Sequence, residues 1–333
     1  MNAVWRVCLA LGLGIGITSC SNDFEITEGV ADIPVVYGLL SSSDTALYIR
    51  VEKAFVDENT SAITLAKDPE NLYYKDIQVE ISNGQKTFTL QRVDGNLEGY
   101  PRKAGAFASS PNYLYKIKQG AGFIIEGQKT YSLTIKKTDG SIIASAQAVA
   151  LRPLANLDIT NPNASALLSF GYNTDFTVGF RSSPLAYTHD ISLVFEYTEE
   201  KNGTFSDKTI EWPLVSNYEE NVNDLVINYR IKGRAFYEFL KSNLTADPAV
   251  NRFMRRGSIK ISSGGEDIAK YTSILKANTG ITSSGEIPSY TNITNGVGLF
   301  SSKTTFVRQN IGFANQTLDS LKNGTITKSL NFR

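Results

Sequence analysis

Apolar and polar residues alternate along many short stretches of this chain. Leu47, Ile49 and Val51 occupy every second position of one stretch, with polar or aromatic residues between them. The same period of two recurs at 77–81 and at 176–180. This pattern is typical of half-buried β-strands. Several such strands, separated by turn residues, predict a mainly β protein.

Asn-Gly pairs stand between some of these stretches and predict tight hairpins. Asn83-Gly84 and Asn202-Gly203 are each flanked by alternating residues. Both residue types tolerate the positive φ angles that a two-residue turn demands. The sequence therefore predicts a hairpin at each pair, with a type I′ turn at Asn83-Gly84.

Residues 32–152 are predicted to form an immunoglobulin-like or fibronectin-like β-sandwich. The segment from Gly127 through Tyr131 to Asp139-Gly140 resembles the closing hairpin of such a sandwich, in which Tyr131 takes the position of the corner tyrosine. Arg152-Pro153-Leu154 then has the character of a link.

Residues 157–333 are predicted to form a second β-rich domain with one or two short helices. The clearer helix covers residues 233–244, where Phe236, Phe239 and Leu240 share one face at helical spacing.

The stretch at 290–302 reads YTNITNGVGLFSS and is the most distinctive one in the second half. Asn295, Gly296 and Gly298 permit backbone conformations that other residues resist. A phosphate-binding loop would need a lysine and a strand-to-helix setting, and both are missing from this stretch. We interpret it as a structural turn that closes the second domain, with Ile293 and Phe300 anchoring it to the core.

Residues 1–19 have the build of a lipoprotein signal peptide. Arg6 precedes an apolar run at 7–17, which is shorter than the roughly 20 residues that a membrane-spanning helix needs. Ile17-Thr18-Ser19-Cys20 resembles a bacterial lipobox. That resemblance implies a lipid-modified Cys20 at the start of the mature chain, and several acyl chains together anchor a protein stably.

Residues 20–31 are predicted to be an acidic tether. Its first part, Ser21, Asn22, Asp23, Phe24 and Glu25, resembles the export signal of Bacteroidetes-type surface lipoproteins, with Asn22 in place of one acid. The alternative is a solvated acidic tether that carries no export signal. The first interpretation places the protein on the cell surface, and the second leaves it facing the periplasm.

Composition narrows the chemistry that the chain can perform. Its two cysteines are Cys8 and Cys20, so the folded part has no thiol for a disulfide, a metal site or a nucleophile. His189 is the only histidine, which rules out a multi-histidine metal site. A serine triad would have to use His189, and no G-x-S-x-G motif occurs. We interpret His189 as a histidine at the rim of a strand. No catalytic, cofactor-binding or metal-binding residue is predicted.

The charge balance bears on partners. Lys and Arg together number 33, as do Asp and Glu, and no basic stripe stands out. Nucleic acid is therefore not expected as a partner.

Three stretches are similar to a family of uncharacterised Bacteroidetes-type surface lipoproteins. They are DFEI after Cys20, VVYGLL with DTALYIRVEKAF at 35–55, and YTNITNGVGLFSS at 290–302. The resemblance covers nearly the whole chain. It implies a surface lipoprotein, but it brings no activity, ligand or site residue.

Three functions stay open at this point. The leading hypothesis is an outer-membrane surface lipoprotein that acts as a non-catalytic binding or scaffold module. The alternative is an accessory subunit of an outer-membrane uptake or adhesion complex, with a TonB-dependent receptor or a glycan as its partner. A glycoside hydrolase with two carboxylates needs no histidine, but no recognisable carboxylate pair occurs.

Overall fold

A computed structural model describes residues 33–54, 62–163, 166–219, 225–279 and 289–333. The predicted signal peptide, the tether, Cys20 and the export signal at 21–25 lie outside these residues. The described chain is mainly β, as predicted, with 49% of it in strands and 15% in helices. The strands are β1 (Pro34–Leu40), β2 (Ala46–Lys53), β3 (Ile77–Ser82), β4 (Thr87–Thr89), β5 (Gln91–Asp94), β6 (Tyr113–Lys118), β7 (Thr130–Lys137), β8 (Ile142–Val149), β9 (Ile159–Asn161), β10 (Asp175–Arg181), β11 (Ala186–Lys201), β12 (Thr204–Tyr218), β13 (Val226–Lys232), β14 (Val250–Gly265) and β15 (Val297–Ile311).

Helices are few and short. They are α1 (Ala62–Leu65), α2 (Pro69–Leu72), α3 (Arg234–Asn243), α4 (Glu266–Thr279) and α5 (Asn315–Asn323). The helix predicted at 233–244 is confirmed as α3, which buries Phe236, Tyr237 and Leu240. The second half contains α3, α4 and α5, which is one helix more than the sequence predicted. None of the helices in the described ranges combines the length and the apolar character needed to cross a bilayer.

The first half of the chain is a β-sandwich. One layer has the strand order β1-β2-β6-β5 and the other has β4-β3-β7-β8. Val36, Ile49, Val79 and Leu133 extend from the two layers into one shared core. In the immunoglobulin lettering, with β4 as C′, the layers read A-B-E-D and C′-C-F-G, which is an immunoglobulin-type arrangement. The predicted immunoglobulin-like sandwich is confirmed by this strand order.

Tyr131 forms the predicted corner at the start of β7. Its ring is fully buried in the core of the sandwich. Its hydroxyl donates a hydrogen bond to the Ile124 carbonyl at 3.1 Å and accepts one from the Glu126 amide at 2.8 Å. A tyrosine that bonds backbone groups a few residues upstream of this strand is a hallmark of the fold.

The second half is also layered. Strands β12-β11-β14-β15 form one layer, and β13-β10-β9 form a smaller sheet. Residues of both sheets, including Phe176 and Leu193, share a core with Phe236 of α3 and Leu321 of α5. Hydrophobic burial between these layers is the main favourable term that holds this half together.

One sheet of eight strands, in the order β12-β11-β14-β15-β1-β2-β6-β5, runs through both halves. Its central step is the parallel pairing of β15 with β1, in which Gly298 lies opposite Val36. Strand pairing therefore crosses the predicted boundary between residues 32–152 and 157–333. Ile293 and Phe300 lie in the core of the first sandwich. The turn at 290–302 thus closes the first sandwich, and the expectation that it closes the second domain was wrong.

The two Asn-Gly pairs form different turns. At Asn202-Gly203 both residues have positive φ, +54° and +78°, and Lys201 pairs with Thr204 across a two-residue loop. At Asn83-Gly84 the hairpin between β3 and β4 is confirmed, but only Gly84 has a positive φ. The type I′ turn predicted there is wrong, because the Asn83 Oδ1 atom accepts hydrogen bonds from the amides of residues 85 and 86 and organises a longer loop.

Candidate functional site

The candidate site lies on the outward face of β2. Leu47, Ile49 and Val51 point into the sandwich, so the residues between them, Tyr48 and Arg50 among them, point away from it. Cross-strand neighbours on this face include Tyr37 of β1, opposite Arg50, and Lys116 of β6, opposite Tyr48. The loop at 95–112, which we call the β5–β6 loop, contacts this face through hydrogen bonds and ion pairs.

A buried ionic cluster fastens the β5–β6 loop to the sheet. The buried Glu52 carboxylate accepts a hydrogen bond from Arg50 Nη1 at 2.9 Å and also pairs with Arg102 of the loop. Asn112 is fully buried, and it accepts a hydrogen bond from Arg50 Nη1 at 2.8 Å and donates one to the Tyr100 carbonyl at 2.8 Å. Loss of one partner from such a buried ion pair typically costs about 3–5 kcal/mol. These bonds therefore tie the loop to the sheet.

A second polar cluster holds the N-terminal part of the β5–β6 loop. Glu98 pairs with Lys116 and accepts a hydrogen bond from the Tyr48 hydroxyl at 2.9 Å. The hydrogen bonds from Lys116 and then Tyr48 lower the pKa of Glu98, so this carboxylate is ionised at neutral pH. The Tyr48 ring packs against the Tyr100 ring at a centroid distance of 4.8 Å.

The outer side of the β5–β6 loop presents apolar and aromatic side chains to solvent. Leu97 is 87% exposed, and Tyr100 and Phe107 are about half exposed. The Cζ atom of Arg102 lies over the Phe107 ring, 5.4 Å from its centroid. The Nη1 atom of Arg102 is buried and has no hydrogen-bond partner among the described residues. Aromatic residues and arginine are enriched at protein interfaces. Because ion pairs tie this loop to the sheet, it would present these side chains as a preorganised contact surface, which lowers the entropic cost of ordering a loop on binding.

His189 is buried, and the rim position predicted for it is wrong. Its imidazole is 3% exposed, with Nδ1 2.8 Å from Ser263 Oγ and Nε2 3.4 Å from Ser182 Oγ. Burial lowers the pKa of His189 to about 4, so the ring is neutral at pH 7. Both serines are buried, and among the described residues no carboxylate is hydrogen-bonded to the ring. A serine triad needs an accessible nucleophile and an orienting carboxylate, so these groups do not form one.

The predicted turn residues hold β15 against β1. Asn295 has φ +57° and Gly298 has φ +120°. A Cβ atom at Gly298 would lie 2.0 Å from the Val36 carbonyl oxygen, and one at Gly296 would lie 2.7 Å from the Pro34 carbonyl oxygen. These glycines allow the two backbones to approach each other closely, which is a structural role.

Sequence reasoning missed the β5–β6 loop as a site. It reads as a loop rich in Gly, Pro and Ser, and the partners Glu52 and Arg102 are separated by 50 residues. One local signal was available. Arg50 and Glu52 are charged residues on the outward face of a strand whose other face is apolar, and the burial of such charges requires partners from elsewhere in the chain.

Within the described ranges, no three or more His, Cys, Asp or Glu side chains cluster as a metal site would require.

Comparisons with known proteins add no support for the fold, which is assigned from its strand order alone. No protein-family model matches this sequence, and no characterised protein matches it. Among solved structures, a chain of a cytokine receptor complex (crystal form 1A) aligns over 85% of this chain and 98% of its own length, at 10% identity and a TM-score of 0.24. A TM-score this low carries no argument about either fold or function.

Proposed function

We propose that this protein is an outer-membrane surface lipoprotein that acts as a non-catalytic binding module through its β5–β6 loop. The observation that carries the proposal is the exposure of Leu97, Tyr100 and Phe107 on a loop that buried Glu52 fastens to the sheet. The lipobox-like sequence at Cys20 supports the membrane location.

The composition of the loop favours a protein as the partner. Aromatic anchors and arginine dominate the binding energy of protein interfaces. Trp212, the tryptophan that would remain after signal cleavage, is partly buried. Its ring stacks on that of Phe239 at a centroid distance of 5.2 Å and packs against the second core, so it does not stand out as a platform for a sugar ring. For the β5–β6 loop, this favours an outer-membrane protein over a glycan as the partner, which is the role of an accessory subunit.

Site-specific photocrosslinking tests the loop as the contact surface. A photoreactive amino acid replaces Tyr100 in the lipidated protein, and intact cells are irradiated. The matched control carries it at Leu157, which is 95% exposed and lies outside the loop. We expect one discrete outer-membrane protein to be crosslinked from position 100 and not from position 157. Equal crosslinking from both positions would contradict the proposal.

Truncation of side chains on the β5–β6 loop measures how much each one contributes to binding of the partner. Leu97→Ala and Tyr100→Ala are each expected to weaken capture of that partner at least about tenfold, since truncation of an interface side chain that contributes to binding costs more than about 1 kcal/mol and about 1.4 kcal/mol is a factor of ten. Leu157→Ala is expected to leave capture unchanged. A turnover that disappears when a single carboxylate is changed would overturn the non-catalytic role and favour the hydrolase alternative.

The anchor has its own test. Metabolic labelling with a radioactive fatty acid is expected to mark the protein and to fail in Cys20→Ala. Protease treatment of intact cells then separates the two orientations, because only a surface-exposed protein is degraded without permeabilisation.

A further inference from the structure

Arg308 of β15 is a buried cation without a carboxylate partner. It is 9% exposed, its Nη1 donates to the Pro162 carbonyl, and its Nη2 donates to the Asn163 carbonyl at 2.6 Å. Among the described residues, no Asp or Glu forms an ion pair with it. Burial lowers the pKa of Arg308. Two carbonyls occupy two of the five N–H donors of a guanidinium.

Among the described residues, the buried Arg252 and the largely buried Arg102 each have a carboxylate partner. Arg252 is 3% exposed and bonds the Glu199 carboxylate at 2.9 Å. Arg102 is paired with Glu52. Removing a cation from water is costly unless an opposite charge compensates it. Arg308 differs from both in having no carboxylate partner among the described residues, and an anion from outside the chain would supply the missing compensation.

A cavity of about 380 Å³ opens beside Arg308. This volume falls within the range of small-molecule sites, which is roughly 300–1,000 Å³. Among the described residues that line it, Arg308 is the only charged one, and the others include Asn156, Leu167, Gln309 and Asn310. Arg256 donates a hydrogen bond to Asn310 Oδ1 at 2.9 Å, which adds a second positive charge near the cavity. The electrostatic field of this site thus favours an anion.

We propose that this cavity binds a small carboxylate that carries hydroxyl groups, that is, a sugar acid. The guanidinium plane of Arg308 matches the geometry of a carboxylate. Side-chain amides such as those of Asn156 and Gln309 both donate and accept hydrogen bonds, which suits hydroxyl groups on the ligand. Arg256 is exposed to solvent and Arg308 is buried, so the one strongly desolvated cation balances a singly charged carboxylate better than a doubly charged phosphate.

Calorimetric titration of the full chain in detergent with three probes tests the ligand class. Glucuronate has both the carboxylate and the hydroxyls, glucose has the same ring without the carboxylate, and inorganic phosphate has charge without the ring. We expect glucuronate to bind at least tenfold more tightly than either of the others. Equal binding of glucose, or tighter binding of phosphate, would overturn the proposal, as would no binding of glucuronate.

A matched pair of variants at an exposed lining position tests the electrostatics without disturbing the core. Gln309→Glu places a negative charge beside the cavity and is expected to weaken glucuronate binding at least fivefold. Gln309→Lys is expected to keep or strengthen it. If both variants bind equally well, Arg308 only fastens the loop at 162–163, and the site is refuted.

Arg308 itself gives a direct readout. Arg308→Lys keeps the charge and loses the planar fork, so we expect binding to fall at least tenfold. Thermal unfolding shows whether this variant is folded, and if it is not, the Gln309 pair decides. Tyr100→Ala is expected to leave glucuronate binding intact, which separates this site from the β5–β6 loop.

Discussion

His189 illustrates how a residue's environment departs from what its sequence position indicates. The motif around it has charged and polar neighbours, so a rim position was expected. The register of β11 instead places it on the same face as Ile191, and its ring packs edge-on against Phe180 at 5.4 Å. A local pattern shows which residues alternate along a strand, but it does not show where the buried face ends.

The buried imidazole is expected to make stability depend on pH. The pKa of His189 is about 4 in the folded chain, against 6.5 for a free histidine. Between pH 6.5 and pH 4 the unfolded chain binds a proton at His189 and the folded chain does not. The free energy of unfolding is therefore at its full value above pH 6.5 and decreases as the pH falls toward 4. Between pH 7.5 and 5.0 this loss is about 2 kcal/mol.

Urea unfolding at these two pH values measures the effect, with His189→Gln as the control. The carboxylates titrate equally in both proteins and cancel in the comparison, so the wild-type chain should lose about 2 kcal/mol more than the variant. Because His189 is the only histidine, its NMR titration reports the pKa directly. A midpoint near 6.5, or equal losses in both proteins, would contradict the prediction.

At the scale of elements, period-two alternation found the strands, and Asn-Gly pairs found the hairpins. The turn types depended on side-chain bonds that the dipeptide does not specify, as the different loops at Asn83 and Asn202 show. The β5–β6 loop shows a second limit. Its conformation depends on Glu52, which belongs to a strand far from the loop in sequence. Local propensity does not report such distant ion pairs.

Gly298 is expected to be irreplaceable in the turn that begins β15. In Gly298→Ala the added methyl would meet the Val36 carbonyl oxygen at 2.0 Å, and the residue would keep a φ of +120°. Gly140→Ala is the matched control, because Gly140 has φ +87° and open space around it. The control should cost about 1–2 kcal/mol through strain alone. Gly298→Ala should cost at least about 2 kcal/mol more, because backbone atoms must move. If Gly298→Ala and Gly140→Ala had equal urea midpoints, β1 and β15 would be able to move apart without loss of stability, which would contradict the prediction.

At the scale of the whole molecule, a first β-sandwich and a second β-rich half were predicted, but the strand that connects them was not. β15 pairs with β1 in parallel, and the paired residues are separated by more than 250 positions, as Val36 and Gly298 are. Parallel strands cannot be joined by a short turn and require a crossover connection, so no turn motif in the sequence indicates which strands pair. The apolar residues of β15 were therefore assigned to the nearer core, although Phe300 belongs to the more distant one.

Phe300 provides the decisive test of this connection. It is fully buried in the core of the first sandwich, so Phe300→Ala is expected to cost about 3–5 kcal/mol. Hydrogen exchange should then accelerate in β2 and β7, which lie more than 150 residues away in sequence from the substitution. Phe236→Ala removes an equally buried ring from the second core and should first expose β10 and α3 instead. If Phe300→Ala loosened only β10 to β14, Phe300 would act within the second half alone. The expected outcome means that the first sandwich lacks part of its core until β15 has paired with β1. Its stability would then depend on a strand from the far end of the chain.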